Sequence, residues 1–299
     1  MPARERAAIE AELTPPFVIQ EPERLSTPVV FCSPHSGRIY PDYFLAQSQL
    51  DAHTLRKSED CYVDELFSCA PAYGAPLIAA LFPRAYLDLN REPYELDPVL
   101  FDEPLPAYAN AHTTRVIGGL GTIARIVGDG TEIYRDRLTL AAALVRIEAL
   151  YRPFHAALAG LLERTRKQFG YAILIDCHSM PSNSTSTDRR VRPDIVLGDR
   201  FGTACDGMLT AFVQQAFSSR GYGVHVNRPY AGGYITEHYG QPVRGINALQ
   251  VEINRGLYLN ETTLEPNRGY QRLLTDIEQV VASVASDLPG CFEQASAAE

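Results

Sequence analysis

Short apolar runs bounded by turn residues alternate along this chain with longer stretches at helical spacing. PVVFC (Pro28–Cys32), PLIAA (Pro76–Ala80), AYLDL (Ala85–Leu89), AILID (Ala172–Asp176), DIVL (Asp194–Leu197), Val224–Asn227 and ALQVEI (Ala248–Ile253) read as strands. Val63–Tyr73, Leu138–Phe169, Cys205–Arg220 and Leu264–Ala285 read as helices. The longest carries an apolar stripe through Leu144, Ile147, Leu150, Tyr151, Phe154, Leu158, Leu161 and Leu162, and Pro153 is expected to kink or split it. Strands alternating with helices are the signature of an α/β layer fold. No internal repeat or low-complexity tract interrupts the pattern, and we read residues 1–299 as a single catalytic domain. Residues 1–25 form an N-terminal extension. Residues 92–134, rich in Pro, Gly and Tyr, form a long irregular insertion expected to cover the site.

Composition narrows the partners. With 27 Lys and Arg against 36 Asp and Glu, a formal charge of −9, the chain has no basic surplus to displace counterions from phosphate, so no nucleic-acid partner is expected. The best local basic run, Arg189-Arg190-Val191-Arg192, is short and flanked by Asp188 and Asp194. No stretch approaches the ~18 uninterrupted apolar residues of a membrane span. The N-terminus MPARERAAIEAEL is charged and helical in pattern, without an apolar core or a cleavage site of small residues, so a cytoplasmic location is expected. The six cysteines lack CxxC spacing and read as small buried hydrophobes in a reducing compartment. Nothing here separates a monomer from a dimer.

The chemistry gathers just after strands, where open α/β sheets collect binding groups. PVVFC is followed by Ser33-Pro34-His35-Ser36-Gly37, AYLDL by Asn90-Arg91, AILID by Cys177-His178-Ser179-Met180-Pro181, and ALQV leads into Glu252. Two histidines with a carboxylate make the ligand set of a catalytic zinc site, and a further carboxylate would move the water's proton. Among the acids of Lys57–Glu65, Asp64 and Glu65 suit the first turn of a helix, which leaves Asp60 free to enter a metal site. His53, His112, His155 and His225 read as structural. GGLGT (Gly118–Thr122) fits neither phosphate-loop spacing and reads as a tight glycine turn.

PHSG at Pro34–Gly37, PRAYLDLNR at Pro83–Arg91, DCHSMPS at Asp176–Ser182, GGYITEHYG at Gly232–Gly240 and LQVEIN at Leu249–Asn254 together resemble the N-formylglutamate amidohydrolase family, in order from about Pro28 to Glu261. That family in turn resembles the aspartoacylase and zinc-carboxypeptidase superfamily. The resemblance implies a single-domain, zinc-carboxypeptidase-like (phosphorylase/hydrolase-like) α/β fold: a central mixed sheet with helices on both faces. It implies hydrolysis of N-formyl-L-glutamate or a similar small N-acyl amino acid to formate and L-glutamate, as in histidine degradation. It also implies one Zn2+ held by His35, His178 and Asp60, with Glu59 as the alternate third ligand. Where the superfamily has a glutamate ligand three residues after the first histidine, this chain has Arg38. Glu252 matches the general acid/base, Arg84 the arginine that polarises the scissile carbonyl, and Asn90 with Arg91 the pair that binds a substrate carboxylate. Thr236 and His238 are expected to line the substrate pocket, and Arg244 to serve as a second carboxylate ligand. Asp88 and Asp176, each two residues before a site residue, read either as acids that orient the ligands or as capping or solvent-facing acids. Two other readings share these residues: a carboxypeptidase-like or N-acyl amino acid deacylase with another substrate, and a non-catalytic binding protein on the same fold.

Overall fold

The structure, a computed structural model, describes residues 2–128, 130–183 and 192–296, with the side chains of 293–296 left aside. Arg189, Arg190 and Val191 of the basic run lie outside the described residues. Seven strands form one mixed sheet: β1 (Phe17–Gln20), β2 (Val29–Ser33), β3 (Leu77–Ala80), β4 (Ala172–Met180), β5 (Ile195–Gly198), β6 (Val224–Val226) and β7 (Ile246–Asn254), in the order β1-β3-β2-β4-β7-β5-β6. The pairs β2–β4, β4–β7 and β5–β6 are parallel, whereas β5 runs antiparallel to β7. The helices are α1 (Pro2–Glu12), α2 (Asp42–Gln47), α3 (Ala52–Arg56), α4 (Val63–Leu66), α5 (Thr114–Ile117), α6 (Leu140–Arg146), α7 (Arg152–Phe169), α8 (Gly207–Ser218), α9 (Tyr234–Tyr239), α10 (Tyr270–Ser286) and α11 (Leu288–Ser296). Among the described residues no helix is long and apolar enough to cross a membrane.

The backbone groups into two compact units. One comprises Met1–Val18, Pro34–Glu59 and Ala79–Ala157, the other Ile19–Ser33, Asp60–Ile78 and Leu158–Glu299. In the second unit the strand alternation separates two faces cleanly. Val29, Phe31, Ile173, Ile175, Cys177, Ile195, Leu197, Leu249, Val251 and Ile253 join one buried cluster with Val63, Leu66, Leu209, Val213, Phe217 and the α10 stripe Leu273, Ile277, Val280, Val281 and Val284. The register pairs like parity with like across β2, β4 and β7, so Asp176, His178, Gln250 and Glu252 all fall on the other face. There α9 packs down, with the Gly233 N–H donating to Gln250 Oε1 at 2.8 Å. Helices thus lie on both faces of this part of the sheet.

In the first unit two expectations change, and the expected turn at GGLGT is present. AYLDL is not a strand: Tyr86 N–H and Leu87 N–H turn back to the Pro83 carbonyl, and Asp88 N–H donates to Thr122 at 2.8 Å instead of to a ladder. Its alternation misleads because Ala85–Arg91 is buried throughout. Pro153 does not break the long helix, because a π-turn at Ile147–Tyr151 joins α6 to α7 just ahead of it. Proline removes one i→i−4 donor, and a turn with i→i+5 bonds absorbs that misfit. GGLGT closes the C-terminus of α5, with Leu120 N–H donating to the Arg115 carbonyl at 2.8 Å and Gly119 at φ +77°. That end of a helix presents carbonyls, which a phosphate avoids. The insertion buries Leu96, Leu100, Phe101, Val116, Ile123 and Ile133. None of the six cysteines, all among the described residues, is joined in a disulfide.

The PHSG turn needs its glycine because a Cβ at Gly37 would lie 2.2 Å from the Phe82 carbonyl oxygen. Backbone cannot yield as a flexible side chain does. Gly37→Ala is expected to destabilise the protein by about 1–3 kcal/mol, read as a lower urea midpoint at unchanged slope. A parental midpoint would show that the two segments do not pack this closely.

Candidate metal centre

The second unit supplies an acidic, buried set around one imidazole. Parallel pairing sets His178 beside Glu252 in register. His178 Nε2 lies 3.0 Å from Asp176 Oδ1, and its Nδ1 lies 3.0 Å from Asp60 Oδ2. Asp176 accepts a hydrogen bond from the Thr236 hydroxyl at 3.5 Å, and Glu252 Oε1 accepts one from Gln250 Nε2 at 2.9 Å. Asp60 is pinned from its other side, since Oδ1 accepts from Arg255 Nη2 at 2.9 Å. Arg255 Nε in turn donates to Ser179 Oγ at 3.0 Å. The segment carrying Asp60 is itself constrained: Tyr258 donates to the Cys61 carbonyl at 2.8 Å, and Tyr62 sits in the left-handed region at φ 63°. Burial alone would lower the His178 pKa, yet Asp176, Asp60 and Glu252 raise it well above the ordinary histidine value. The pocket of charge around this ring therefore favours a cation.

The first unit builds the mirror arrangement around His35. His35 Nε2 lies 2.7 Å from Asp88 Oδ1, which also accepts from the Asn90 N–H at 2.8 Å. Asp88 Oδ2 receives Arg84 Nη2 at 2.8 Å, with Arg91 Nη2 at 3.6 Å. Burial opposes ionisation of Asp88, but Arg84, Arg91 and His35 outweigh it and hold the carboxyl well below its usual range. Arg91 is fixed by the insertion, its Nε donating to the Leu120 carbonyl at 2.8 Å and its Nη1 to the Asn90 carbonyl at 2.8 Å. Desolvation lowers the Arg91 pKa to about 10 despite Asp88. Arg84 is the freer of the two, its side chain 24% exposed against 10%.

His35, Asp60 and His178 are all buried, and each offers one ligand atom within 4.8 Å of the others. Two imidazoles and a carboxylate suit a catalytic zinc site. Each ring also has its Nε2 against an aspartate, Asp88 or Asp176. A carboxylate on the far nitrogen fixes ring orientation and leaves Nδ1 to face a metal. On donor chemistry and on charge, the residues fit a divalent cation. The alternate ligand Glu59 is engaged elsewhere, accepting from Tyr40 at 2.6 Å and from Arg56 Nε at 3.2 Å.

Other expected residues scatter. Thr236 is buried and reaches Asp176. His238 is exposed on α9 and stacks on Tyr234 with ring centroids 5.0 Å apart. Asp64 and Glu65 occupy the first turn of α4, as expected, and His155 is satisfied by the Leu89 carbonyl at 3.0 Å. Arg244 is a correction. It is exposed in the turn that enters β7, ahead of Ile246, and the strand from Ile246 to Glu252 alone spans about 20 Å. That is the wrong end of the strand for a residue meant to share a substrate with Glu252. Arg255 was not anticipated, although it follows LQVEIN directly and so obeys the same strand-end rule as the histidines.

Comparisons with known proteins identify the family. The family model described as N-formylglutamate amidohydrolase matches residues 27–259. A Pseudomonas putida protein named N-formylglutamate deformylase is 31% identical over 79% of this chain and 83% of its own length. A Pseudomonas aeruginosa protein of the same name is 29% identical over 80% and 85%. The solved structure of N-formylglutamate amidohydrolase from Ralstonia eutropha JMP134 is 36% identical and superposes with a TM-score of 0.86, covering 91% of this chain and 98% of that one.

If the two aspartates orient the rings, Asp88→Asn and Asp176→Asn should each weaken divalent metal binding by about 10–100-fold, measured by competition with a chromophoric chelator. Parental affinity in both variants would remove the aspartates from the metal centre.

Proposed function

The chain belongs to the N-formylglutamate amidohydrolase family, and from that premise we propose that this amidohydrolase cleaves the amide bond of N-formyl-L-glutamate to formate and L-glutamate, using zinc held by His35, Asp60 and His178. The observation that carries the reading is the buried His-Asp-His group with an aspartate behind each imidazole. Zinc, when bound, supplies Lewis acidity, bringing the pKa of water towards ~7 and polarising a carbonyl.

The chain's own residues account for the remaining requirements. Glu252, next to His178 in the sheet and steadied by Gln250, takes the proton of the attacking water and passes it to the departing amine. Amide cleavage needs this transfer, because the nitrogen leaves readily only as a neutral amine. Arg84 places a guanidinium where charge develops on the carbonyl oxygen, the kind of donor whose loss costs ~3–4 kcal/mol in comparable sites. Asn90 and Arg91 hold a substrate carboxylate, for which a planar guanidinium fork is better suited than an ammonium. Thr236 acts at one remove, through Asp176. We treat the chain as one catalytic domain.

Glu252→Gln keeps the side chain's size and removes the base. It is expected to lower kcat on N-formyl-L-glutamate by at least about 10²–10⁴-fold while one equivalent of zinc stays bound. Near-parental turnover would refute the assignment of the base. A panel with N-acetyl-L-glutamate and dipeptides tests the acyl group separately: faster cleavage of either would move the substrate to that class and leave the metal centre intact.

A further inference from the structure

The first helix of the chain lies outside the span matched by the family model, residues 27–259. It is not a loose extension. Glu5 on α1 is 0% exposed and accepts from Arg146 Nε of α6 at 2.6 Å, the arginine also being 0% exposed. Arg146 Nη1 donates to the Tyr134 hydroxyl at 2.7 Å and to the Tyr86 carbonyl at 3.2 Å. Its guanidinium lies over the Tyr86 ring, 4.1 Å from the centroid, and the Tyr86 hydroxyl donates to Glu5. Tyr86 is thus held by its ring, its hydroxyl and its backbone carbonyl. It stands midway between Arg84 and Asp88, in the short turn that delivers both to His35.

A buried ion pair is a poor way to gain stability, because desolvating two charges offsets most of their attraction, and its best-attested use is to define one arrangement. Here Glu5 Oε2 is buried without a hydrogen-bond partner among the described residues, so the pair is not satisfied to the full. A guanidinium, in contrast to an apolar side chain, imposes direction on a carbonyl, a hydroxyl and a carboxylate together. We propose that Glu5 and Arg146 are positioning residues: through Tyr86 they set the turn that aims Asp88 at His35 and Arg84 at the substrate. The N-terminal helix is thereby a working part of the catalytic apparatus. The inference rests on the amidohydrolase reading only for its kinetic arm.

Glu5→Gln removes the charge at constant size, and Tyr86→Phe removes only the hydroxyl contact. Ile9→Ala, a buried residue of the same helix outside the network, is the matched control for simple destabilisation. Each full-length variant is compared by thermal midpoint, zinc affinity against a chelator, kcat and KM on N-formyl-L-glutamate, and the long-range ¹H–¹⁵N signal of the His35 ring. Glu5→Gln is expected to lower kcat and zinc affinity by about 10-fold or more, with KM within about twofold, and to shift the His35 signal. Ile9→Ala should lose as much thermal midpoint and none of these. Equal kinetic and spectroscopic losses in both would overturn the proposal, leaving the pair a plain element of the core. Should Glu5→Gln fail to fold, Tyr86→Phe decides: a smaller change in the same direction supports the proposal, and parental values reject it. A parental protein inactive on N-formyl-L-glutamate would sink the substrate reading alone, because zinc affinity and the ring signal still report where the turn sits.

Discussion

Two imidazoles are each backed by an aspartate, and the rest of the site depends on that pairing. An imidazole free to rotate presents either nitrogen to a ligand and loses entropy when it is fixed. With Nε2 against Asp88 or Asp176, each ring turns its Nδ1 the other way, that of His178 lying 3.0 Å from Asp60 Oδ2. The aspartates must themselves be fixed, and each is fixed differently. Asp88 sits among two arginines and a backbone N–H at the head of a tight turn. Asp176 is a mid-strand residue, its direction set by the pleat and its second oxygen met by Thr236. One ligand is therefore aimed by electrostatics in a loop and the other by sheet geometry.

The charge balance differs in the same way. Around His35, Asp88 is outnumbered by Arg84 and Arg91, and its negative charge is held at all ordinary pH. Around His178, the acids Asp60, Asp176 and Glu252 face Arg255 alone among the arginines named here, which is why the ring gains proton affinity despite its burial. A proton on the ring and a divalent cation beside it are alternative answers to one excess of negative charge. The same excess of negative charge would favour a divalent cation in place of the proton, since metal binding requires deprotonated ligands.

Much of this was legible in the sequence because strands impose it. His178 and Glu252 lie at the C-terminal ends of apolar runs, where the alternation of the pleat and the convergence of loops leave few other places for polar residues to go. His35 was legible for the same reason, whereas the sequence set aside only Asp64 and Glu65 as helix-turn acids and the family resemblance favoured Asp60 over Glu59; the structure adds that Glu59 is paired with Arg56 and Tyr40. Errors arose where sequence proximity stood in for spatial proximity. Arg244 is close to GGYITEHYG and LQVEIN along the chain, but a strand nine residues long holds its two ends about 26 Å apart. AYLDL was misread because full burial on all sides gives the same letters as a strand. Arg255 was missed because an arginine after a strand ordinarily reaches solvent, whereas this one turns back to Asp60.

The Glu5–Arg146 pair was beyond the reach of sequence patterns altogether, because its members are 141 residues apart and sit on two separate helices. An arginine at the end of α6 is expected to face water and complement the helix dipole. Instead the end of α6 runs on through the π-turn into α7, and the guanidinium turns inward to Glu5. Replacing such a pair by apolar residues of similar volume would commonly leave stability level or improved. Its placement behind the one turn that carries both Arg84 and Asp88 is then better understood through orientation than through stability. Orientation is also the requirement that metal-assisted hydrolysis imposes most strictly, since a displacement of about 1 Å at the reacting groups can cost about 10²-fold in rate.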